Sequence, residues 1–189
     1  MHIIYFHGFN SAGKKSKKYR ILKEAFGQKI HTPTLDYTSD TLFADTEEYI
    51  DSFEGDKLII GTSMGGFMAT HFARLGKCEA WVFNPAMYPD ESLKVYLGEI
   101  RNYVTNETYE WGLRNIKIFT KAIKDVTYEL ERSDIKVCVG TQDTVIDPSR
   151  ISEYFKKENI PVIPYEDDHR FSNKFESAIN HLKKNYFTP

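Results

Sequence analysis

The hydrophobic pattern of the chain alternates between short apolar runs and longer amphipathic segments. The apolar runs predict six strands, at residues 2–6, 29–35, 58–60, 78–83, 135–139 and 161–165. Between most of them, apolar residues recur at the spacing of one helix face. This alternation predicts an α/β fold with a mostly parallel, doubly wound sheet and helices on both of its faces.

The alternation lapses between residues 84 and 134, over a stretch longer than the connections such units need. The alternation before this stretch carries no antiparallel hairpin signal, and within it residues 116–131 fit either a helix or an extended segment. We expect one domain over residues 1–189, in which residues 84–134 form a cap-like excursion. Tyr109 and Trp111 in this excursion are candidates for substrate binding, and the alternative is that they only pack it onto the body.

The composition and charge of the chain argue against several functional classes. The chain has 189 residues and a net charge of -2, which argues against general nucleic-acid binding. No apolar run approaches the roughly 18 residues of a membrane span, so we expect no insertion into a membrane. Met1 leads almost directly into a strand, without a cleavable signal, which predicts a cytoplasmic protein. The two cysteines lack metal spacing, and no metal site is predicted.

The most basic stretch of the chain is residues 14–20, which contains five lysine or arginine side chains. Its ordinary interpretation, which we favour, is a solvated face at the start of a helix. The alternative is a binding site for a substrate that carries phosphate, such as an acyl-CoA.

The third strand ends in Gly61-Thr62-Ser63-Met64-Gly65, and a helical pattern follows at once. A Gly-x-Ser-x-Gly turn between a strand and a helix is typical of a nucleophile elbow, in which the serine is held in a strained conformation at the edge of the sheet. The turn presses Gly61 and Gly65 together, so neither position has room for a side chain. Ser63 is therefore the candidate nucleophile.

The first strand ends at His7-Gly8-Phe9, where a His-Gly loop can supply half of an oxyanion hole. The backbone N–H of Phe9 is the first candidate donor. The N–H of Met64, at the N-terminus of the helix after the elbow, is the second.

Two carboxylates compete for the role of the acid that orients a catalytic histidine. Asp147 directly precedes Pro148 and a helical pattern, as expected of an N-cap. Asp143 has no such local use and lies just beyond the end of the fifth strand, where ligand-facing residues of α/β sheets gather. We therefore assign the acid to Asp143.

Of the six histidines, His169 has the best position for a general base, in the loop after the last strand. The order Ser63, Asp143, His169 is that of α/β hydrolases. Asp167 and Asp168 directly precede His169, and carboxylates held close to an imidazole would favour its charged form.

Nearly the whole chain resembles the YqiA-like group of small bacterial esterases, within the α/β-hydrolase superfamily. The matching segments are Tyr5–Ser11, Gly61–Gly66, Asn84–Ala86, Tyr96–Gly98, Gln142–Asp147 and His169–Phe171. The resemblance implies an α/β-hydrolase fold and hydrolysis of acyl esters, including acyl-CoA thioesters, without a cofactor. The chain departs from the family pattern at Asp167 and Asp168, where glycines are common, and at Ala12, where the family tends to have proline.

These patterns together predict a serine hydrolase that acts on a small acyl ester through Ser63, His169 and Asp143, with no cofactor. A thioesterase or small peptidase is the nearest alternative. A binding protein that uses the same fold without chemistry is an alternative of a different class.

Overall fold

Six parallel strands form the central sheet in the computed structural model, which describes residues 1–124 and 135–187. Their spatial order is β2-β1-β3-β4-β7-β8, and the two remaining strands form a separate antiparallel pair. The strands are β1 (His2–Phe6), β2 (Ile30–His31), β3 (Lys57–Thr62), β4 (Glu79–Phe83), β5 (Gly98–Arg101), β6 (Thr108–Trp111), β7 (Ile135–Gly140) and β8 (Val162–Tyr165). This architecture confirms the predicted fold class.

Seven α-helices lie in the described part of the chain, together with short 3₁₀ helices at Gly27–Lys29 and Lys94–Tyr96. The α-helices are α1 (Lys17–Phe26), α2 (Leu42–Asp51), α3 (Met64–Arg74), α4 (Pro89–Ser92), α5 (Leu113–Lys124), α6 (Pro148–Lys156) and α7 (Phe175–Phe187). None of the described helices is long and apolar enough to cross a membrane.

Two apolar clusters cover the two faces of the sheet because successive side chains of a strand point to opposite faces. In β1, Ile4 and Phe6 belong to the cluster that includes residues of α2, α3 and α6, whereas Ile3 and Tyr5 belong to the cluster formed with α1 and α7. The sheet is thus buried on both faces, as parallel sheets generally are. Its strands all end at the same edge, which brings the loops after β1, β3, β4, β7 and β8 together.

The predicted second strand is wrong beyond residue 31. Pro33 has no N–H to donate to a strand ladder, and the hydroxyl of Thr32 donates to the carbonyl oxygen of Tyr5 at 2.9 Å in place of a backbone bond. The chain leaves the sheet after two paired residues, Ile30 and His31.

The sequence did not predict the antiparallel hairpin that β5 and β6 form in the excursion. Each strand has only four residues, and no Asn-Gly turn joins them. The connecting loop instead uses Asn102, whose side-chain oxygen accepts from two backbone N–H groups, and Asn106, which has a φ of 64°. Of the segment 116–131, residues 116–124 are helical in α5, and the remainder lies outside the described residues.

Asp147 caps α6 in the way its sequence position suggests. Its side chain accepts a hydrogen bond from the N–H of Ser149 at 2.9 Å, and Pro148 occupies the first helical position.

We predict that Asp147→Ala lowers the free energy of unfolding by about 1 kcal/mol, the usual cost of a lost N-cap. Asp147→Asn should change it little, because asparagine caps helices as well as aspartate does. Urea denaturation of the two variants beside the parent protein measures the difference. Equal losses from both variants would show that the negative charge, and not the cap, is what stabilises the helix.

Candidate active site

Ser63 lies between β3 and α3 in a backbone conformation that L-residues rarely adopt, with φ 52° and ψ −119°. Its N–H donates to the carbonyl oxygen of Phe83 at 3.0 Å, and its own carbonyl oxygen accepts from Gly66 and Ala86. A Cβ atom at residue 61 would overlap the carbonyl oxygen of Gly65, and one at residue 65 would overlap that of Phe6. The two glycines therefore allow a turn that holds the Ser63 hydroxyl at the edge of the sheet.

The structure brings the side chains of Ser63, His169 and Asp143 together. Nδ1 of His169 lies 2.7 Å from Oδ2 of Asp143, and Nε2 lies 3.1 Å from Oγ of Ser63. Because an ionised carboxylate can only accept, Nδ1 carries the proton and Nε2 is free to accept one from the serine. The Asp143 side chain is buried, and that of His169 is 18% exposed.

The second oxygen of Asp143 is held by the chain that follows it. Oδ1 accepts from the N–H groups of Val145 and Ile146, both at 2.8 Å. The carboxylate is thereby fixed with its other oxygen toward the imidazole. The structure places Asp143 beside His169 and Asp147 at the start of α6.

Phe9 and Met64, whose backbone N–H groups are the candidate oxyanion donors, line the same cavity as Ser63. Met64 directly follows the serine, and a Cβ atom at Gly8 would lie 3.3 Å from the Cβ of Ser63, so the loop after β1 passes close to the nucleophile. Among the described residues, neither N–H has an acceptor in the protein. Both are thus available to an anion at this point.

His7 belongs to the same loop, and both nitrogens of its ring form hydrogen bonds within the protein. Its Nδ1 donates to the carbonyl oxygen of Gly8 at 2.9 Å, and its Nε2 accepts from the N–H of Leu35 at 3.4 Å. Burial lowers the pKa of His7 below its usual value. With both ring nitrogens engaged, His7 is not a second base.

The hairpin of β5 and β6 holds this loop in place through Asn10. Asn10 is buried with a φ of 54°, and its side chain donates to the carbonyl oxygen of Arg101 at 2.8 Å. Its Oδ1 accepts from the Tyr109 hydroxyl at 3.2 Å, and its carbonyl oxygen accepts from the N–H of Tyr103 at 3.2 Å. The excursion therefore fixes the conformation of the loop that presents the Phe9 N–H.

Sequence reasoning missed the positioning role of Asn84. Its Nδ2 donates to the carbonyl oxygens of Asp168 and His169, both at 3.0 Å, and its Oδ1 accepts from the N–H of Gly140 at 2.6 Å. One side chain thus joins the ends of β4 and β7 to the loop that carries His169. Its sequence signal is an asparagine directly after a strand, here with a φ of 43°.

The carboxylates of Asp167 and Asp168 bind the turn that follows His169. The buried carboxylate of Asp167 accepts from the N–H groups of Asn173 and Lys174, and that of Asp168 accepts from the N–H and hydroxyl of Ser172. Partial burial raises the pKa of Asp168, but the bonds from Ser172 outweigh it and leave the pKa below its usual value. The two carboxylates order the turn between His169 and α7, and the carboxylate bonded to the imidazole is that of Asp143.

A cavity of about 370 Å³ opens at Ser63, His169, Phe9 and Met64. Tyr109 and Trp111 are not among its wall residues. Trp111 is fully buried, packs 4.6 Å from the ring of Phe9 and donates to the carbonyl oxygen of Leu93, which fits the packing alternative. Tyr109 and Asn10 line a second cavity, of about 580 Å³.

No group of three or more His, Cys, Asp or Glu side chains in residues 1–124 and 135–187 could hold a metal ion.

The sheet order, the elbow after its third strand and the position of the serine define an α/β-hydrolase fold. Solved structures agree: mouse α/β hydrolase domain-containing protein 10 is 14% identical with a TM-score of 0.68, covering 97% of this chain and 88% of the other. A Pyrococcus furiosus esterase is 15% identical with a TM-score of 0.64, covering 99% and 82%. A Paleococcus ferrophilus monoacylglycerol lipase is 13% identical with a TM-score of 0.63, covering 95% and 93%.

The chain belongs to UPF0227, described as an uncharacterised protein family, whose model matches residues 2–186. This match confirms the resemblance to the YqiA-like group, which rested on short motifs spread along the chain.

We predict that Asn84→Ala lowers the free energy of unfolding by about 2–3 kcal/mol, because it removes the partner of the buried N–H of Gly140 and both side-chain bonds to the loop of His169. It should also speed hydrogen exchange at residues 167–171 more than elsewhere. Urea denaturation and exchange followed by mass spectrometry measure the two effects.

Asn159→Ala is the matched control for the Asn84 variant. Asn159 is exposed and has a φ of 57°, so its replacement carries the same backbone cost without the buried bonds. If both variants lost equal stability, the bonds of the Asn84 side chain would contribute nothing.

Proposed function

We propose that this protein is a serine hydrolase that cleaves carboxylic esters through an acyl-enzyme. The observation that carries the proposal is the position of His169, with Nδ1 2.7 Å from Asp143 and Nε2 3.1 Å from Ser63. These distances fit the transfer of the serine proton to Nε2 without a movement of either side chain.

In the proposed reaction, Oγ of Ser63 attacks the acyl carbon while Nε2 of His169 takes the hydroxyl proton. The new C–O bond forms as the carbonyl π pair moves onto oxygen, and the N–H groups of Phe9 and Met64 stabilise that oxyanion. The protonated imidazole then gives its proton to the leaving alcohol, and the tetrahedral intermediate collapses to the acyl-enzyme. Water, activated by the same imidazole, releases the acid and restores Ser63.

Asp143 acts through the histidine. Its carboxylate keeps the proton on Nδ1, so that Nε2 faces Ser63 unprotonated, and it stabilises the imidazolium that forms during each transfer. The N–H groups of Val145 and Ile146 hold it in that orientation. None of these steps uses a metal ion or a cofactor.

The first test is covalent labelling with a fluorophosphonate, which reacts with activated serines. We predict that the label lies on Ser63 and that Ser63→Ala abolishes both labelling and hydrolysis of p-nitrophenyl butyrate. Ser177→Ala, at an exposed serine of α7, serves as the control and should keep both. A label on another serine, or normal turnover by Ser63→Ala, contradicts the proposed nucleophile.

The second test separates the two candidate acids. Asp143→Asn keeps the size of the side chain but presents an amide to Nδ1, which imposes the wrong tautomer and should lower kcat by about three to four orders of magnitude. Asp147→Asn removes the same charge four residues away and should change kcat by less than about twofold. Stopped-flow or steady-state ester hydrolysis measures both, and a larger loss from Asp147→Asn would reverse the assignment.

A further inference from the structure

The cavity at Ser63 has a basic wall, formed by Lys17, Lys18 and Arg170. Among the described residues that line this cavity, none is aspartate or glutamate. The basic stretch that we interpreted as a solvated helix face is therefore divided between two sites. Lys14 and Lys15 line the separate cavity beside Asn10, whereas Lys17 and Lys18 line the one that contains the nucleophile.

The charges of the basic wall have no ion-pair partner among the described carboxylates. Nζ of Lys18 lies 5.6 Å from the ring centre of Phe175, and the guanidinium of Arg170 lies 5.5 Å from that of Tyr103. Asp168 attracts Lys18 at longer range, but its carboxylate oxygens are bonded to Ser172. An anion in the cavity would thus meet cations that form no close ion pair with a carboxylate of the described chain.

Lys18 is half-buried, which makes its lack of a partner costly. Burial lowers its pKa to about 8, with attraction from Asp168 opposing the shift and repulsion from Arg170 adding to it. A bound anion would compensate for this desolvation.

The opposite side of the cavity is apolar. Ala86, Leu93 and Ile146 pack into the cluster on the face of α3 and α6, whereas Phe175, beside Lys18, belongs to the cluster on the face of α1 and α7. An adjoining cavity of about 250 Å³ shares Ala86 and Ile146 and adds the apolar residues Met87 and Ile151. Its wall also includes Glu91, Asp147 and Arg150. The cavity that contains Ser63 therefore has apolar residues suited to an acyl chain and cations suited to a negative charge.

We propose that the ester substrate carries a carboxylate or phosphate on its alcohol part, which binds Lys17, Lys18 and Arg170 while the acyl chain occupies the apolar side. This inference rests on the proposed ester hydrolysis at Ser63. The anion would hold the alcohol oxygen within reach of the imidazole proton and would leave with the first product.

The test compares pentanoate esters that differ only in the charge of the alcohol: p-tolyl, p-carboxyphenyl and p-phosphonooxyphenyl pentanoate. The measured quantity is the ratio of kcat/KM for each anionic ester to that for the neutral ester, at low ionic strength. Comparing this ratio between proteins removes the difference in intrinsic reactivity of the esters. The two anionic esters separate a preference for carboxylate from one for phosphate.

In the double variant Lys18→Met, Arg170→Met, we expect the ratio for at least one anionic ester to fall about tenfold relative to the parent. The control is Lys14→Met, Lys15→Met, which also removes two positive charges but from residues that do not line this cavity, and it should keep the parent ratio. In the parent protein, rising salt should lower the ratio for the anionic ester, which tests the inference even if the first variant folds poorly.

An unchanged ratio in the first double variant, or equal falls in both, would overturn the inference. The p-tolyl monoester of glutarate has its charge on the acyl part. If kcat/KM fell in the first double variant for this ester alone, the inference would also be overturned. These outcomes require hydrolysis of p-tolyl pentanoate by the parent protein. If the parent hydrolyses no ester at all, it is the proposed function that fails.

Discussion

The close approach of β1, β3 and α3 at Gly61 and Gly65 is the constraint on which the site depends. At these two positions the main chains lie so near each other that a single methyl group would collide with a carbonyl oxygen of the neighbouring segment. The approach turns the chain through Ser63 with a positive φ, and it also brings the loop after β1 against the serine. The strain at one residue is thus maintained by tight packing around it, as strained functional residues generally require.

Two side-chain amides extend this arrangement to the rest of the site. Asn10 ties the loop after β1 to the hairpin, and Asn84 ties the loop of His169 to the ends of β4 and β7. Both have positive φ, which asparagine tolerates better than most residues, and both are buried. The two loops that flank Ser63 are therefore held by bonds of defined geometry, and their positions do not depend on apolar packing alone.

The parts that sequence could predict are those whose determinants are local. The elbow depends on spacing within five residues, and the choice between Asp143 and Asp147 followed from Pro148 beside one of them. Asn84 could not be found in this way, because its partners are 56 to 85 residues distant in the chain. The side-chain directions of Asp167 and Asp168 depend on the turn at Ser172–Lys174, and no local sequence pattern predicts that turn. The hairpin was missed because its strands are short and partly exposed, so that their hydrophobic alternation is weak.

The position of β8 at the edge of the sheet affects the order in which the site and the sheet are lost on unfolding. Among the described strands, β8 pairs with β7 alone, and His169 lies four residues after its end. Ser63, in contrast, follows a strand that is paired on both sides. Edge segments open with less free energy than central ones, so partial opening at β8 separates the imidazole from the serine while most of the sheet persists. Heat or denaturant should therefore break the contact between His169 and Ser63 before the secondary structure is lost.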